Sequence, residues 1–285
     1  MATPLENAAK IPLDPVEQRK VRIARNERIG RWVLPIIVVV LTIVGWDLFC
    51  VINEVPHYVI PRPGRILQVL IEDWSLLISS LGATLVITFS ALTLAIVGGV
   101  GLAILFAQSK WVEMSFFPYA IILQVTPIIV IAPLIFIYVD SKFIGLLICA
   151  WIVAFFPILS NTTLGLKSAD HNLADMMKLY GASRWQTLRF LRLPSALPYF
   201  LGGLKIAGGL SLIGAIVAEF VAGSGGAGSG LAFRILEASY RLNIPRMFAA
   251  ILLISFTGIL IFMAMSFLSW LFLHKWHESA IKREM

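Results

Sequence analysis

The residues that could support catalysis are few, and none of them forms a recognisable catalytic group. The four histidines all fall in polar segments or the C-terminal tail: His57, His171, His274 and His277. Covalent catalysis needs a nucleophile beside a base, and a zinc site needs several closely placed ligands. The chain has no H-E-x-x-H segment, and Cys50 and Cys149 lie in separate apolar runs. The sequence therefore predicts no metal site and no cofactor, and it disfavours an intramembrane protease.

A glycine-rich segment at residues 223–230 invites comparison with a phosphate-binding loop. Phosphate loops of that type continue into Gly-Lys-Ser/Thr and follow a strand. Here the segment GSGGAGSG is followed by Leu231 and an apolar helical pattern instead. We therefore predict a flexible turn ahead of a short helix over 231–240.

Glu219 is the strongest candidate for a functional side chain, because it ends a long apolar run. A carboxylate at such a place is costly unless it faces protein, water or a cation. It continues a stripe of small residues at every fourth position: Gly203, Ala207, Ser211 and Ala215. Small residues at this spacing allow close helix packing in a membrane. Two interpretations stay open: Glu219 anchors neighbouring helices by hydrogen bonds, or it lines a solute path together with Ser211.

The composition places the chain in a membrane. Hydrophobic residues make up 59% of the 285 positions and charged residues only 14%, whereas soluble domains carry about a quarter charged residues. Six apolar runs reach the roughly 20 residues that cross a bilayer. The runs cover residues 32–52, 76–107, 117–139, 143–166, 199–222 and 247–273. The predicted fold is an all-α membrane protein with six transmembrane helices.

The third run contains Pro118, Pro127 and Pro133. Each proline in a membrane helix frees a backbone carbonyl and bends the axis, so packing or water must satisfy that carbonyl. We include Pro127 and Pro133 among the candidates for the solute path.

The net charge of +7 is consistent with membrane orientation rather than nucleic-acid binding, because the basic residues lie between the apolar runs. With the N-terminus inside, 17 Lys and Arg residues fall on the inner side and six on the outer side. The positive-inside rule then predicts cytoplasmic termini and a cytoplasmic 168–198 loop. The expected organisation is a basic segment (1–31) that forms a helix along the membrane, a six-span domain (32–273) and a tail (274–285). The first run is too long for a signal peptide.

The 168–198 segment is the longest polar interval between spans. Leu173, Met176, Met177 and Tyr180 share one face at a helical period. Gly181 is placed to end that helix, and Ser183 with Gln186 has the spacing of a capping box. Pro194 and Pro198 are expected to close the second short helix before span five. A basic amphipathic hairpin bound to membrane lipid is the simplest interpretation of the pattern.

The residues also resemble a signature of inner-membrane permease subunits of type I, binding-protein-dependent ABC importers. In that family the pattern is E-A-A-x-x-x-G-A-S followed by I-x-L-P, although Asp-Met-Met replaces Glu-Ala-Ala here. The matching positions are Asp175, Met176, Met177, Gly181, Ala182, Ser183, Leu193 and Pro194. The segment from Gln124 to Leu134 is similar to the third span of the nitrate, sulfonate, taurine and thiamine-precursor branch. The usual Trp-Phe-Gly after it is replaced by Tyr138-Val139-Asp140.

The resemblance implies a permease in a bacterial inner membrane. It implies that the 168–198 loop is a coupling helix that docks on cytoplasmic ATPase subunits, that a periplasmic binding protein delivers a small solute, and that the permease forms a homodimer. ATP hydrolysis is then expected on the partner ATPase and not on this chain. The alternative is a secondary transporter driven by an ion gradient, although that class tends to carry inverted repeats and clustered intramembrane charges. Neither interpretation identifies the solute.

Overall fold

The computed structural model describes residues 15–223 and 228–274, and the regular elements in these ranges are all helical. The all-α prediction is therefore confirmed. The elements are α1 (Pro15–Ile52), α2 (Pro63–Glu72), α3 (Trp74–Gln108), α4 (Lys110–Val125), α5 (Ile128–Tyr138), α6 (Lys142–Lys167), α7 (His171–Leu179), α8 (Arg184–Thr187), a π-helical segment (Leu188–Arg192), α9 (Leu193–Ala222), α10 (Leu231–Tyr240) and α11 (Ile244–Leu273). Part of the glycine-rich turn (224–227) and the tail with His277 lie outside the described residues.

The chain forms two compact units, residues 1–65 and 66–285. In the first unit, α1 has 38 residues and runs across position 31 without a break. At 1.5 Å per residue it is about 57 Å long, well beyond the ~30 Å of a hydrocarbon core. The described part of the basic segment is thus the same helix as the first span, and not a separate surface helix. The predicted boundary at 31–32 stays a prediction.

Asp47 in α1 is paired within this first unit. Arg62 donates two hydrogen bonds of 2.9 Å to its carboxylate, one to each oxygen. The pair is partly exposed, with 36% of the Asp47 side chain accessible. A planar, two-point contact of this kind fixes the orientation of both side chains. The segment after α1 is therefore folded back toward the end of that helix.

Among the described residues, five helices are long and apolar enough to cross a membrane, and a sixth candidate is the bent pair α4–α5. The predicted third span runs as two helices that meet at 101°. Pro127 lies at the junction and Thr126 is extended there, with ψ of 121°. Proline disfavours the helical conformation for the residue before it, and at Pro127 that residue has left the helix. Pro118 and Pro133 remain inside helices.

The bent pair crosses the bundle from one end to the other. Glu113, in the first turn of α4, forms an ion pair with Lys167, the last residue of α6. Phe136, near the end of α5, packs its ring against Gly145 in the first turn of α6. Since α6 has 26 residues and is about 39 Å long, α4 begins and α5 ends near its opposite ends. The pair is thus one broken span, which gives six crossings in the described chain.

The two ends of the second unit can be named by the short helices they carry. At the α7 end, α3 and α6 finish and α9 begins, and Arg192 donates to the carbonyl of Ala107 in the last turn of α3 at 2.8 Å. At the α10 end, α3 and α11 begin, and Arg246 donates to both carboxylate oxygens of Asp73 at 2.6 and 3.0 Å. The first contact satisfies a carbonyl that the end of α3 leaves unpaired, and the second joins the starts of α3 and α11 by an ion pair.

Helices α3, α6 and α9 pack most closely, and small residues make this possible. The predicted stripe of α9 is buried against small residues of its neighbours, with no exposed surface at Ala207 and Ala215 of α9 or at Ala95 and Ala103 of α3. At Gly203, α9 approaches α6 too closely for any side chain. A Cβ there would lie 2.7 Å from the carbonyl oxygen of Pro157 and 2.8 Å from Cβ of Asn161. The neighbouring Gly202 has open space, with nothing within 4 Å of such an atom.

This difference gives a matched pair of substitutions. We expect Gly203→Val to destabilise the folded protein by about 1–3 kcal/mol or more, because α6 must move away from α9. Gly202→Val has no such clash, and we expect it to change stability by less than about 1 kcal/mol. Thermal unfolding of both variants in detergent measures the difference. Equal unfolding temperatures for the two variants would contradict the close α6–α9 contact.

Several boundaries differ from the sequence prediction. The helix of the third span begins at Lys110 instead of 117, because Ser109 caps it by accepting a hydrogen bond from the Val112 N–H. Helix α2 lies between the first two predicted spans, outside the apolar runs. The short helix after the glycine-rich segment was predicted over 231–240 and is confirmed as α10.

Candidate functional site

The first candidate site is the exposed segment between α6 and α9. Asp170 caps α7, with its carboxylate accepting from the Asn172 N–H at 2.8 Å. Gly181 ends the helix with φ of +73°, a conformation that side chains with a Cβ rarely adopt. Its N–H and that of Ala182 bond back to the carbonyls of Lys178 and Met177. The predicted stop at glycine is confirmed.

The predicted capping box is also confirmed. The Ser183 hydroxyl accepts from the Gln186 N–H at 3.2 Å, and the Gln186 side chain accepts from the Ser183 N–H at 2.7 Å. Each side chain satisfies an N–H that the start of α8 would otherwise leave unpaired. The capping box therefore holds the direction in which the chain leaves Gly181.

The prediction that Pro194 and Pro198 close this unit is wrong. From Arg184 the helix runs through the π-helical segment and into α9, so that 184–222 is one continuous helical stretch. Pro194 lies inside this stretch, directly after the π-helical segment, and does not end it. The π turn is marked by the Leu193 N–H, which donates to the carbonyl of Leu188. The loop is thus joined to span five by a helix without an intervening turn.

One half of the loop is anchored and the other half is exposed. Leu188 is fully buried in the main hydrophobic core, and Arg192 is bonded to α3 as described above. No residue of α7 is buried. Within the apolar face, Leu173 is 45% exposed, Met176 48% and Tyr180 85%. An exposed apolar face of this kind is typical of a surface that binds another protein or the membrane.

The charges of α7 pair locally. Lys178 donates to the Asp175 carboxylate at 2.8 Å, three residues away on the same helix. This hydrogen bond holds the pKa of Asp175 below its ordinary value. Both side chains are about two-thirds exposed or more, so the pair contributes little to stability. Asp175 therefore remains accessible to a partner.

The second candidate site is the carboxyl group of Glu219, which is only 3% exposed. One oxygen accepts from the Thr84 hydroxyl of α3 at 2.8 Å, and the other accepts from the Ala232 N–H of α10 at 3.0 Å. The Leu231 N–H donates to the same Thr84 hydroxyl at 2.8 Å. Glu219 and Thr84 together satisfy the first two N–H groups of α10, and an acidic group at a helix N-terminus is also favoured electrostatically.

Gly230 completes this site, because a Cβ at that position would lie 1.9 Å from a Glu219 carboxyl oxygen. The sequence prediction of a flexible glycine-rich turn missed this role, which becomes visible only with the position of Glu219. It also missed Thr84, which lies 135 residues from Glu219 in the chain. Of the two interpretations left open for Glu219, the geometry supports the anchor in this conformation.

Around this site α10 is held by charged contacts as well. Arg234 donates to the Ser80 hydroxyl of α3 at 3.0 Å and to the Glu237 carboxylate at 2.9 Å. Arg241 makes a second ion pair with Glu237. The hydrogen bond from Arg234 keeps the pKa of Glu237 below its ordinary value. The short helix is therefore fixed to α3 by two hydrogen bonds, from Arg234 to Ser80 and from Leu231 to Thr84, while the Glu237 ion pairs are internal to it.

The third candidate site is a cavity of about 290 Å³ beside the break between α4 and α5. Pro127 lines it, as do residues of α4, α5, α6 and α9. Pro133 lines a different cavity, of about 330 Å³, together with Asp140, Lys142 and the end of α9. Ser211 is fully buried and donates to the carbonyl of Gly208. A path role for Ser211 or Glu219 therefore requires a different conformation and stays a prediction.

Comparison with known proteins identifies the family. Residues 95–277, more than half of the chain, match the family described as binding-protein-dependent transport system inner membrane component. The formylaminopyrimidine transport permease protein of Halalkalibacterium halodurans is 32% identical over 81% of this chain and 90% of its own length. The riboflavin transport system permease protein of Chloroflexus aurantiacus is 30% identical over 68% of this chain and 73% of its own.

A solved structure agrees at the level of fold. The crystal structure of an amino acid ABC transporter with histidines superposes with a TM-score of 0.58 at 20% identity, covering 72% of this chain and 96% of that one. The six crossings, the matched region and the relatives lead to one conclusion: this chain belongs to the inner-membrane permeases of binding-protein-dependent ABC importers.

Proposed function

We propose that this chain forms half of the solute path of a bacterial ABC importer, as a homodimer, and that separate cytoplasmic ATPase subunits drive it through α7 and α8. The observation that carries this proposal is the pairing of an exposed apolar face on α7 with a helical connection into α9. A force applied at α7 passes through Gly181 and the capped α8 into a continuous helix. That helix packs on α3 and α6 across the bundle.

The proposal places the α7 end in the cytoplasm, with both termini, and the α10 end toward the periplasmic binding protein. The excess of Lys and Arg on the α7 side supports this orientation. At the α10 end, Tyr240 and Leu242 are 80% and 72% exposed next to the fixed α10 helix. This surface is where we expect the binding protein to dock. Membrane lipid is the expected partner of the remaining apolar surface of the bundle.

The solute is a small organic molecule or anion of the kinds that related permeases carry. The permeases named above serve formylaminopyrimidine and riboflavin, and the wider branch includes carriers of sulfonates and nitrate. No residue of this chain is assigned to ATP hydrolysis, which the proposal gives to the partner subunits. The permease contributes the path and the link to the ATPase.

Orientation can be tested with two single cysteines. Both native cysteines are buried, so they react slowly with a membrane-impermeant maleimide. Tyr180 and Tyr240 are 85% and 80% exposed and lie at opposite ends of the bundle. We expect Tyr240→Cys to be labelled in spheroplasts and Tyr180→Cys to be labelled only after lysis. The reverse pattern would place α7 outside, where no ATPase could reach it.

Coupling is tested by reconstitution of the chain with its partner ABC ATPase. We expect solute uptake to require ATP and to stop when the catalytic glutamate of the ATPase is replaced by glutamine. Uptake that persists without ATP and collapses on addition of a protonophore would instead establish a secondary transporter.

A further inference from the structure

The cavity beside the α4–α5 break has a composition that limits what it can bind. Its walls come from both halves of the broken span, from α6 and from α9. The residues that line it are Leu123, Gln124, Thr126, Pro127, Ile128, Ile152, Val153, Pro157 and Leu210. Seven of these nine are apolar, one carries an amide and one a hydroxyl, and none is charged. Its volume of about 290 Å³ is at the lower end of the range for small-ligand sites, roughly 300–1,000 Å³.

The cavity lies at the middle depth of the bundle. Ile152, Val153 and Pro157 fall in the middle third of α6, and Leu210 falls in the middle third of α9. Non-helical backbone at this depth is tolerated only where it is buried in protein or lines a cavity that holds water or solute. In a membrane the break must therefore be covered by protein or open to a space that holds water or solute.

The break also frees hydrogen-bonding groups toward this space. Pro127 has no N–H, so the carbonyl of Leu123 has no donor at the position four residues later. The Thr126 hydroxyl donates to the carbonyl of Ile122 at 2.7 Å and keeps its lone pairs as acceptors. The exposed Gln124 amide supplies both donors and an acceptor. A solute here meets both kinds of hydrogen-bonding group on an otherwise apolar wall.

An anion finds weaker support in this cavity. The N-terminus of α5 starts at Ile128 and favours negative charge, but no cationic side chain lines the cavity to neutralise an anion there. The free-energy cost of removing an ion from water exceeds the stabilisation that a helix N-terminus provides when no cationic side chain is present. An uncharged solute pays no such cost. The lining therefore discriminates by charge.

We propose that this cavity holds the solute in transit and that it selects an uncharged solute over an anion. The preferred solute carries hydrogen-bond donors and acceptors on an apolar frame, as aminopyrimidines do. Sulfonates and nitrate are disfavoured. This inference rests on the proposed function, since it takes the broken span as part of the import path. Gln124 is the main polar contact, and Thr126 is an additional acceptor. The chain itself, and not only its binding protein, then contributes to solute selection.

The test measures binding to the purified full-length chain in lipid nanodiscs, without nucleotide or ATPase. The probe is radiolabelled formylaminopyrimidine, with methanesulfonate and nitrate as competitors. We expect saturable binding that neither anion displaces at a hundredfold excess. Each tenfold difference in affinity corresponds to about 1.4 kcal/mol of binding free energy. Gln124→Leu is expected to weaken binding by about tenfold or more, since its amide loses both kinds of hydrogen bond.

Matched controls separate the cavity from general effects on the protein. Gln68→Leu removes an exposed amide from α2, outside the cavity, and should leave binding unchanged. Thr126→Val and Thr93→Val each remove a hydroxyl that bonds to its own helix four residues earlier, and only the first should weaken binding. Val153→Trp fills the cavity and should abolish binding.

Three results would overturn the inference: no saturable binding of the probe to the wild-type chain, displacement by either anion at equal concentration, or equal binding by Gln124→Leu and Gln68→Leu. None of them bears on whether ATP drives uptake, because the ATPase is left out of the assay. ATP-driven uptake of a sulfonate by the reconstituted complex, with no pyrimidine binding, would keep the proposed function and reject this one. Uptake that is independent of ATP would reject the proposed function, and it would keep this inference if the probe still binds at Gln124.

Discussion

Gly181→Val is expected to reduce ATP-driven uptake by about tenfold or more while the protein remains folded, because a left-handed backbone costs a β-branched residue roughly 1–3 kcal/mol. Gly181 has φ of +73°, and a Cβ there would touch nothing within 4 Å. The penalty is thus one of backbone conformation and not of collision. To relieve it, the chain must leave α7 in another direction, which misplaces the apolar face relative to α8.

The matched control is Gly181→Asn, because asparagine tolerates the left-handed region better than other residues with a Cβ. We expect this variant to retain uptake within about threefold of the wild type, in line with its smaller backbone penalty. The unfolding temperatures of both variants should stay close to that of the wild type, since no residue of α7 is buried. The measurements are uptake by the reconstituted complex and co-purification of the ATPase.

Two outcomes would contradict this explanation. Normal uptake by Gly181→Val would show that the direction of the loop does not matter for coupling. Equal loss in both variants would point to a contact made by the glycine surface itself, since Asn and Val differ in backbone preference but both add a side chain.

Glu219→Ala is expected to destabilise the folded chain by about 1–3 kcal/mol, the cost of one buried donor left unpaired. The Ala232 N–H loses its acceptor, whereas the Thr84 hydroxyl can still donate to the Ser80 carbonyl at 3.3 Å. Glu219→Gln should have a smaller effect on stability. Its amide oxygen still accepts one of the two hydrogen bonds, while its amide NH₂ group faces the other donor. Thermal unfolding in detergent should rank the proteins in the order Glu, Gln, Ala.

Gly230→Ala tests the same contact from the other side. A Cβ at 1.9 Å from a Glu219 oxygen must displace that carboxyl group, so we expect a similar loss of stability. Gly209→Ala is the control, with open space at its Cβ position. Gly230→Ala and Glu219→Ala disturb the same contact. The variant that carries both substitutions should therefore lose less stability than the sum of the two single losses. Additive losses would show that Gly230 and Glu219 act independently.

Much of the secondary structure follows from local patterns in the sequence. The apolar runs predict the crossings because backbone groups in lipid must be bonded within the segment. The turn at Gly181, the capping box at Ser183 and the extent of α10 were predictable for a similar reason: each depends on residues within a few positions of one another. Pro194 was misinterpreted because a proline commonly marks a helix boundary, and no local pattern indicates the π turn that precedes it in this continuous helix.

The sites required the tertiary structure. Glu219 could be recognised as a costly charge from its place in an apolar run, but its partner Thr84 lies on a different span, and no periodicity relates the two. The same is true of the cavity at Pro127, where three prolines in one span were equivalent by type. The sequence by itself determined which segments enter the membrane and where short helices begin. Only the packing of α3, α6, α9 and α10 decided which proline breaks a span, which glycine is required, and where a buried carboxyl group finds its donors, because those contacts join residues far apart in the chain.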